Sequence, residues 1–229
     1  MLTRKTLYRE VAAYFREAMP EAKTELHYDN PFQLLVAVIL SAQCTDKRIN
    51  QVTPRLFEDY PTAEAMALAT PEVIYEYIKS VSYPNSKARH LVEMARQLQQ
   101  KHGGEVPQDM KLLTALPGVG RKTANVVAAV LWNAPVMPVD THVFRVANRI
   151  GLTTNSPSPE ATEAVLEQHF PPELMPKAHH WLLLHGRYVC TARNPHCTSC
   201  GLSHCCRDYA KQKSCSPRKK QTNTKPTTP

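Results

Sequence analysis

The chain has 229 residues, 42% apolar and 21% charged, proportions that are ordinary for a folded globular protein and exclude wholesale disorder. Its longest apolar runs, 34–40 and 126–132, are far shorter than the roughly 20 residues of a membrane helix, and residues 1–20 contain no apolar segment of a secretory signal. The net charge is +8, but six basic residues follow Asp208, the last acidic residue, so the part before this tail is nearly neutral. A nucleic-acid partner therefore needs a more specific signal than basic composition.

Helix signals follow one another along the chain, and strand-like alternation is absent. Thr3 is placed to cap a first helix that Pro20 stops, and Asn30-Pro31 opens an apolar helix through Leu40 that we expect to be buried. Further helices are predicted to start at the cap–Pro–acid patterns of 70–72 and 158–160, and over 85–102, 109–115, 121–133, 141–150 and 176–189. The sequence thus predicts an all-α protein with about ten short helices.

Two stretches that interrupt the helices, 20–29 and 133–138, predict the domain boundaries. They separate a central block, 22–133, from an N-terminal helix and a C-terminal part, 1–21 and 134–212, which can pack together as a second domain. Residues 213–229 are rich in Lys, Thr, Pro, Ser and Gln and have nothing to bury. We expect them to form a disordered basic tail.

The segment Leu116-Pro117-Gly118-Val119-Gly120 joins two predicted helices and is followed by Arg121-Lys122-Thr123-Ala124. Two glycines around one apolar residue permit a turn with positive φ, and the free amides of the next helix's first turn then form a site for an anion such as a phosphodiester. A plain turn between two helices is the alternative. The whole string is more specific than its glycines and resembles the helix–hairpin–helix of DNA-repair proteins, which holds a DNA strand by backbone amides.

Lys122 and Asp140 both fall at predicted helix N-termini, 18 residues apart. The positive helix end and Arg121 are expected to lower the pKa of Lys122, so that a neutral amine is available as a nucleophile; the alternative is a solvated lysine near a phosphate. Asp140, in Val139-Asp140-Thr141-His142, can be a simple helix cap, but a capped carboxylate also stays ionised and can stabilise a cationic sugar. One helix and a turn can bring the two side chains face to face across a groove.

Five of the seven cysteines fall within 17 residues, which indicates a metal site before it indicates disulfides. Four of them, Cys190, Cys197, Cys200 and Cys206, are separated by six, two and five residues. Zinc is the commonest use of four thiolates, but zinc sites usually consist of two short pairs, whereas this spacing favours a loop around an iron–sulfur cube. Cys205 is an alternative fourth ligand.

Taken together, these motifs resemble those of the endonuclease III family of DNA glycosylases, over about residues 3–210. The resemblance is carried by Leu40-Ser41-Ala42-Gln43-x-Thr45-Asp46, by L-P-G-V-G-R-K-T-A-N-V-V over 116–127, by Val139-Asp140-Thr141-His142-x-Phe144-Arg145-Val146, by His180-Trp181-Leu182-x-Leu184-His185-Gly186-Arg187-Tyr188, and by the four cysteines. It implies a two-domain helix–hairpin–helix glycosylase fold, in which a six-helix barrel meets an iron–sulfur cluster domain at the active-site groove.

The resemblance also implies the function and its residues. Members of this family excise oxidised pyrimidines from duplex DNA and then cut the strand 3′ to the abasic site by β-elimination, so Lys122 is implied as the nucleophile, Asp140 as the catalytic carboxylate and the four cysteines as the ligands of a 4Fe-4S cluster. The expected DNA contacts are Gln43, Tyr83, Leu116, Pro117, Gly118, Val119, Gly120, Arg121, His142, Arg145, Arg187 and Arg193. We expect a monomer with no membrane partner, acting on damaged or abasic double-stranded DNA in the cytoplasm of a prokaryote.

The chain departs from the family pattern in the loop expected to enter the duplex. Where the family commonly has Gly-Leu-Tyr-Asn-Ser-Lys-Ala, this chain has Ser82-Tyr83-Pro84-Asn85-Ser86-Lys87-Ala88, and Cys44 replaces a small residue beside Gln43. The wedge is therefore Tyr83, which can stack on a base as well as wedge. Three alternative functions differ at specific residues: an adenine-removing mismatch glycosylase lacks the lysine, an 8-oxoguanine enzyme lacks the cysteines, and a zinc-held DNA-binding module performs no chemistry.

Overall fold

The computed structural model describes residues 2–215 and contains, within that range, twelve α-helices, one 3₁₀ turn (Pro172–Leu174) and no strand. The helices are α1 (Arg4–Ala18), α2 (Pro31–Ser41), α3 (Asp46–Asp59), α4 (Ala63–Ala67), α5 (Pro71–Ile78), α6 (Pro84–His102), α7 (Met110–Thr114), α8 (Arg121–Trp132), α9 (Thr141–Ile150), α10 (Pro159–His169), α11 (Met175–Tyr188) and α12 (Arg207–Cys215). The all-α prediction is confirmed, and three of the described helices, α3, α4 and α12, were not placed from the sequence.

Most helices begin where the sequence places a cap. The side chains of Thr3, Asn30 and Ser158 each accept a hydrogen bond from the backbone amide three residues further on. Thr70 occupies the same position before α5, but its side chain makes no capping bond. The three helices that the sequence analysis misses have weak signals, because α3 contains an internal proline, α4 has only five residues and α12 is mostly exposed.

The buried apolar side chains form two separate cores. The first is built by α2 to α8 around α2, whose residues Phe32 to Leu40 are all buried. The second combines α1 with α9, α10 and α11, although α1 lies more than a hundred residues earlier in the chain. Phe15 of α1 stacks on Trp181 of α11, and the Trp181 indole N–H donates to the Met19 carbonyl oxygen at 2.9 Å. These contacts join the N-terminal helix to the C-terminal helices.

The C-terminal helix continues past the point where the sequence predicts the tail to begin. α12 ends at Cys215, so residues 213–215 are helical. Contacts between residues four apart stabilise its last turns, since Gln212 donates to Asp208 at 3.1 Å and the Lys213 ammonium lies 4.7 Å from the centre of the Tyr209 ring. The rest of the predicted tail, 216–229, lies outside the described residues. Within 2–215, none of the helices is both long and apolar enough to cross a membrane.

Candidate active site

A cleft of about 1220 Å³ is lined by residues of both cores, with α2, α3 and α8 on one side and α9 and α11 on the other. It brings together five of the residues that the sequence analysis singles out: Gln43, Lys122, Asp140, His142 and Arg187. Tyr83, the glycines of the 116–120 hairpin and the four clustered cysteines do not line it. The cleft therefore holds the two candidate reacting groups, and the hairpin expected to hold the DNA backbone lies outside it.

Asp140 is the N-cap of α9, directly before its first residue, and its own carboxylate fixes it there. Its Oδ1 atom accepts hydrogen bonds from the backbone amides of His142 at 2.9 Å and Val143 at 2.8 Å. Both bonds use the same oxygen, and among the described residues Oδ2 has no hydrogen-bond partner. Asp140 therefore presents a carboxylate oxygen to the cleft.

Lys122 is the second residue of α8 and is exposed to the cleft. None of the ion pairs within residues 2–215 involves its ammonium group. Its neighbour Arg121 is paired: the guanidinium donates to Glu163 Oε1 at 2.7 Å, and this carboxylate raises the pKa of Arg121. Glu163 therefore partly neutralises the positive charge beside Lys122.

Two buried histidines of α11 lie beside the reacting groups. The His179 ring is 1% exposed, and its Nδ1 atom is 2.8 Å from the Pro138 carbonyl oxygen. Burial, and then the neighbouring charge of His180, lower the pKa of His179 to about 3, and the charges of both Asp140 and Lys122 also act on it. Burial lowers the pKa of His180 to about 4. At neutral pH both rings are therefore uncharged.

The hairpin before α8 has the geometry of a backbone anion site. Gly118 has φ +78°, and an added Cβ there would meet His90 Cβ at 3.0 Å, so both the conformation and the space favour glycine. The side chains of Leu116 and Val119 are buried in the first core, which leaves only their backbone for contact with DNA. Gly120 precedes α8 with no side-chain cap, so the first amides of that helix are available to an anion.

The wall of the cleft is formed by a guanidinium between two carboxylates, and the sequence analysis misses this arrangement. Arg187 Nη1 donates to Glu25 Oε2 at 2.5 Å and to Asp46 Oδ2 at 2.6 Å, and the Tyr188 hydroxyl donates to Glu25 Oε1 at 2.6 Å. Although burial alone would lower it, these carboxylates raise the pKa of Arg187. The sequence gives no signal for Glu25, which lies in the stretch between α1 and α2. Arg187, one of the expected DNA contacts, is thus paired with two carboxylates of the protein.

Two other expected DNA contacts, Arg145 and Arg193, have different surroundings. Arg145 is tied to the protein, since its guanidinium donates to the carbonyl oxygens of Cys190 at 3.1 Å and Gly186 at 2.8 Å and lies 3.3 Å from His142 Nδ1. Arg193 is exposed on the loop that carries the cysteines. Glycine at 186 allows α9 to pack closely on α11, because a Cβ there would come within 2.8 Å of His142 Cβ. Arg193 is thus the better placed of the two to reach a phosphate.

The four predicted cysteine ligands lie near one another on the loop after α11. Burial raises the pKa of the Cys200 thiol, and the charges that raise it further are those of Cys206, Cys190 and Cys197. Burial also raises the pKa of Cys205 to about 11, and the Cys205 thiol donates to the Leu202 carbonyl oxygen at 3.4 Å. Within residues 2–215 no three His, Cys, Asp or Glu side chains converge closely enough to hold a single metal ion.

Arg149 of α9 supports the cysteine loop, and the sequence analysis does not identify it. Its guanidinium donates to the carbonyl oxygens of Thr191 at 2.7 Å and Ala192 at 2.9 Å, and Nη1 lies 3.6 Å from Cys190 Sγ. In return, the Cys206 thiol lies 3.5 Å from the Arg149 carbonyl oxygen. The Arg149 charge lowers the pKa of the Cys197 thiol, but burial outweighs it, so that pKa is raised overall.

Comparison with known proteins places the chain in a repair family. Residues 36–172 match the profile described as "HhH-GPD superfamily base excision DNA repair protein". The chain is 47% identical to endonuclease III of Rickettsia conorii over 203 residues, which cover 89% of this chain and 96% of that protein. The chain belongs to the endonuclease III family. The Escherichia coli K12 member of the family is 44% identical over 197 residues, which cover 86% of this chain and 93% of that protein.

Solved structures agree with this family assignment. A trapped endonuclease III–DNA covalent intermediate, in an estranged-adenine complex, superimposes with a TM-score of 0.87 at 42% identity, covering 93% of this chain and all of that chain. A thermostable thymine-DNA glycosylase shares the fold with a TM-score of 0.79 at 24% identity. The two-domain fold class predicted from the motifs is therefore that of endonuclease III and its structural neighbours.

Proposed function

We propose that this endonuclease III family member is a DNA N-glycosylase and abasic-site lyase that removes oxidised pyrimidines from double-stranded DNA. The observation that carries the proposal is that Lys122 and Asp140 line one cleft, each at the N-terminus of a helix. A base excision repair family with endonuclease III relatives supplies the reaction class. The neutral rings of His179 and His180 give the cleft uncharged polar atoms beside these two residues.

The first half of the reaction is base release. The damaged nucleotide leaves the base stack and enters the cleft, at a cost of a few kcal/mol that is smallest for a lesion that pairs poorly. The Lys122 amine attacks C1′ of the sugar, and the bond from C1′ to the base breaks with its electron pair leaving on the base. The Asp140 carboxylate stabilises the positive charge that develops on the sugar ring.

The second half of the reaction is strand cleavage. The C1′–Lys122 adduct opens the sugar ring and becomes a Schiff base, which acidifies the proton at C2′. Loss of that proton and departure of the 3′ phosphate cut the strand by β-elimination, and water then hydrolyses the Schiff base and frees Lys122. One amine therefore serves both halves of the reaction.

DNA binding is assigned to groups outside and at the rim of the cleft. The backbone amides of Gly118 and Gly120 and the first turn of α8 are suited to one phosphodiester, and Arg193 to another. Gln43 fills the space of the extruded nucleotide in this proposal, and Tyr83, with 64% of its surface exposed, wedges into the duplex. His142 lies on the cleft itself. The substrate is thus duplex DNA with a damaged pyrimidine or an abasic site.

The four cysteines fit a 4Fe-4S cluster better than they fit zinc. Sulfurs that share one zinc ion at about 2.3 Å must lie about 3.8 Å from one another, and no such convergence exists within the described residues. A cube binds each thiolate to a separate iron atom and tolerates wider spacing. Cys190, Cys197, Cys200 and Cys206 would hold it, and the cluster would organise the loop that carries Arg193 and take no part in the reaction.

A matched pair of variants tests the cluster and its fourth ligand. Cys206→Ser is expected to lose most of its iron and its visible absorbance, whereas Cys205→Ser is expected to keep both. Cys205 is the control because it is adjacent, similarly buried and bonded to the Leu202 carbonyl oxygen. Full iron in Cys206→Ser, or zinc instead of iron in the native protein, would contradict the assignment.

The domain division and the setting of the protein are part of the same proposal. The two hydrophobic cores support a barrel domain, 22–133, and a cluster domain formed by 1–21 and 134–212. The bacterial sources of the relatives support action on the chromosome in a prokaryotic cytoplasm, and the cleft is completed within one chain, so a monomer suffices. Sedimentation of the purified chain with and without DNA tests the monomer.

A product assay with borohydride trapping tests the proposed function. The full chain is incubated with duplexes that contain one ring-saturated thymine, one 8-oxoguanine, one adenine mismatch or no lesion. We expect excision, strand cleavage and a borohydride-trapped covalent adduct with the pyrimidine lesion alone. Preferred excision of the purine substrates, or base release without an adduct, would overturn the proposal.

A further inference from the structure

The two residues assigned to the interior of the duplex share a strained backbone conformation. Gln43 and Tyr83 both have φ of +56°, in the left-handed region that residues other than glycine rarely adopt. Such a conformation is energetically unfavourable and persists only where surrounding contacts fix it. Because both side chains are exposed, those contacts must come from neighbouring residues.

Direct hydrogen bonds connect the loop of Gln43 to the loop of Tyr83. The Ser82 hydroxyl donates to the Gln43 carbonyl oxygen at 2.8 Å. The Ser82 backbone amide points to Cys44 Sγ at 3.4 Å, and the Ser82 hydroxyl lies 3.7 Å from the same sulfur. Each residue that enters the DNA is thus adjacent in sequence to one member of the Cys44–Ser82 contact.

Lys87 anchors the same pair of loops from the first turn of α6. Its side chain is only 6% exposed, and Nζ donates to the carbonyl oxygens of Leu40 at 2.8 Å and Ala42 at 2.7 Å. These carbonyls belong to the end of α2, where the helix leaves them without backbone partners. Residues 82 and 87 therefore hold the segment 40–44 at both of its ends.

We propose that Ser82, through the Gln43 carbonyl and Cys44, is a positioning residue that joins the two loops into one rigid unit, so that Gln43 and Tyr83 enter the duplex together. The inference rests on the proposed function and deepens it. The bridge is made by this chain's departures from the family pattern, because Ser82 stands where that pattern has glycine and Cys44 where it has a small residue. Glycine has no hydroxyl to donate to the Gln43 carbonyl. A unit that is rigid before binding loses less conformational freedom when it inserts.

A double-mutant cycle on DNA binding tests the bridge without relying on catalysis. The Kd is measured for a duplex with a tetrahydrofuran abasic analogue, relative to an undamaged duplex, for Gln43→Ala, Tyr83→Ala and the double variant. In the protein that retains Ser82, each loop depends on the other. We therefore expect the fold-loss of relative affinity in the double variant to be at least about threefold smaller than the product of the fold-losses in the two single variants. In the Ser82→Ala protein we expect the losses to multiply. Ser82→Ala alone should weaken relative binding about 2- to 10-fold, in line with one hydrogen bond to a carbonyl.

Two further variants separate positioning from a general loss of structure. Ser82→Thr keeps the hydroxyl and should restore the coupling between Gln43 and Tyr83. Thr53→Val removes a hydroxyl that donates to the Ile49 carbonyl oxygen at 3.1 Å in the same core, and should leave the coupling unchanged. Two results would overturn the bridge and leave the proposed function intact. The affinity losses of Gln43→Ala and Tyr83→Ala could already multiply in the protein that retains Ser82, or the coupling between them could survive Ser82→Ala. A native chain that binds the analogue no better than undamaged duplex would overturn the proposed function and the bridge with it.

Discussion

The two ends of the cleft position their side chains in different ways. Lys122 is the second residue of α8 and Asp140 is the N-cap of α9, and Asp140 is held by amides only two and three residues away. At the other end, Arg187 is held by the carboxylates of Glu25 and Asp46, which are 162 and 141 residues away in the sequence. The reacting groups are therefore placed by local backbone structure, whereas the wall beside them depends on the packing of distant segments. Substitutions at the first end should change the reaction, and substitutions at the second should change stability.

Lys122→Gln should have the largest effect on the reaction and almost none on the fold. Without the amine, base release and strand cleavage should fall by at least about 10³-fold. Binding to abasic-site DNA should stay within about tenfold, because phosphate contacts supply most of the affinity. Single-turnover excision and borohydride trapping measure the loss, with Lys47→Gln, another exposed lysine of the cleft, as the control. A trapped adduct in Lys122→Gln would identify a different nucleophile.

Asp140→Asn should separate the two halves of the reaction. Excision should slow by about 10²-fold, since the sugar cation loses its carboxylate. Cleavage of a preformed abasic site should change much less, and folding should be normal because Asn also caps helices. Asp109→Asn is the matched control: Asp109 caps α7 with bonds to the amides of Lys111 and Leu112 at 2.8 and 3.0 Å. Equal slowing on lesion and abasic substrates would refute this division of labour.

Arg187→Met should change the free energy of unfolding more than it changes the excision rate of bound substrate. It leaves the Glu25 and Asp46 carboxylates close together without their cation, which should lower the free energy of unfolding by about 2–4 kcal/mol. Urea unfolding measures the change, and iron content checks that the nearby cysteine loop is retained. The exposed Arg193→Met should leave unfolding unchanged and weaken DNA binding instead. An unchanged unfolding midpoint in Arg187→Met, with a reduced salt dependence of DNA binding, would show that Arg187 contacts phosphates.

The pH dependence of unfolding should give the smallest effect. Burial lowers the pKa of His179 to about 3 and of His180 to about 4, whereas both rings titrate near 6.5 in the unfolded chain. Their contribution to stability is therefore complete above pH 6.5 and is lost as the pH falls towards 4, because the unfolded chain takes up the protons first.

Each histidine should account for about 1 kcal/mol of the stability lost between pH 7.5 and 5.5. Urea unfolding at the two pH values measures this loss. The free energy of unfolding that His180→Gln loses between them should be smaller than the native loss by that amount. The exposed His27→Gln should show the native loss. An unchanged loss in His180→Gln would mean that another group controls the acid side of the stability curve.

The sequence by itself determined the elements whose causes are local. The capping side chains of Thr3, Asn30 and Ser158 fix helix starts through bonds to amides three residues away, so they can be recognised without knowing the fold. The same holds for Asp140 and for the glycines of the hairpin, because helix ends and positive φ values are properties of a few adjacent residues. The helices α4 and α12 escaped prediction because their amphipathic pattern is too short or too weak to be distinguished from a loop, and α3 escaped it because it contains an internal proline.

Only the tertiary structure decided which charges are free and which are paired. In the sequence, Arg121, Arg145 and Arg187 are equally good candidates for a phosphate contact. In the structure Arg121 pairs with Glu163, and Arg145 donates to two backbone carbonyls. Arg187 pairs with both Glu25 and Asp46. These partners lie between 41 and 162 residues away. The hydrogen bond from Ser82 to the Gln43 carbonyl is equally invisible before the chain folds. Pairing of this kind depends on distances of a few ångströms between segments that only the packing of helices brings together, and no local pattern of residues encodes it.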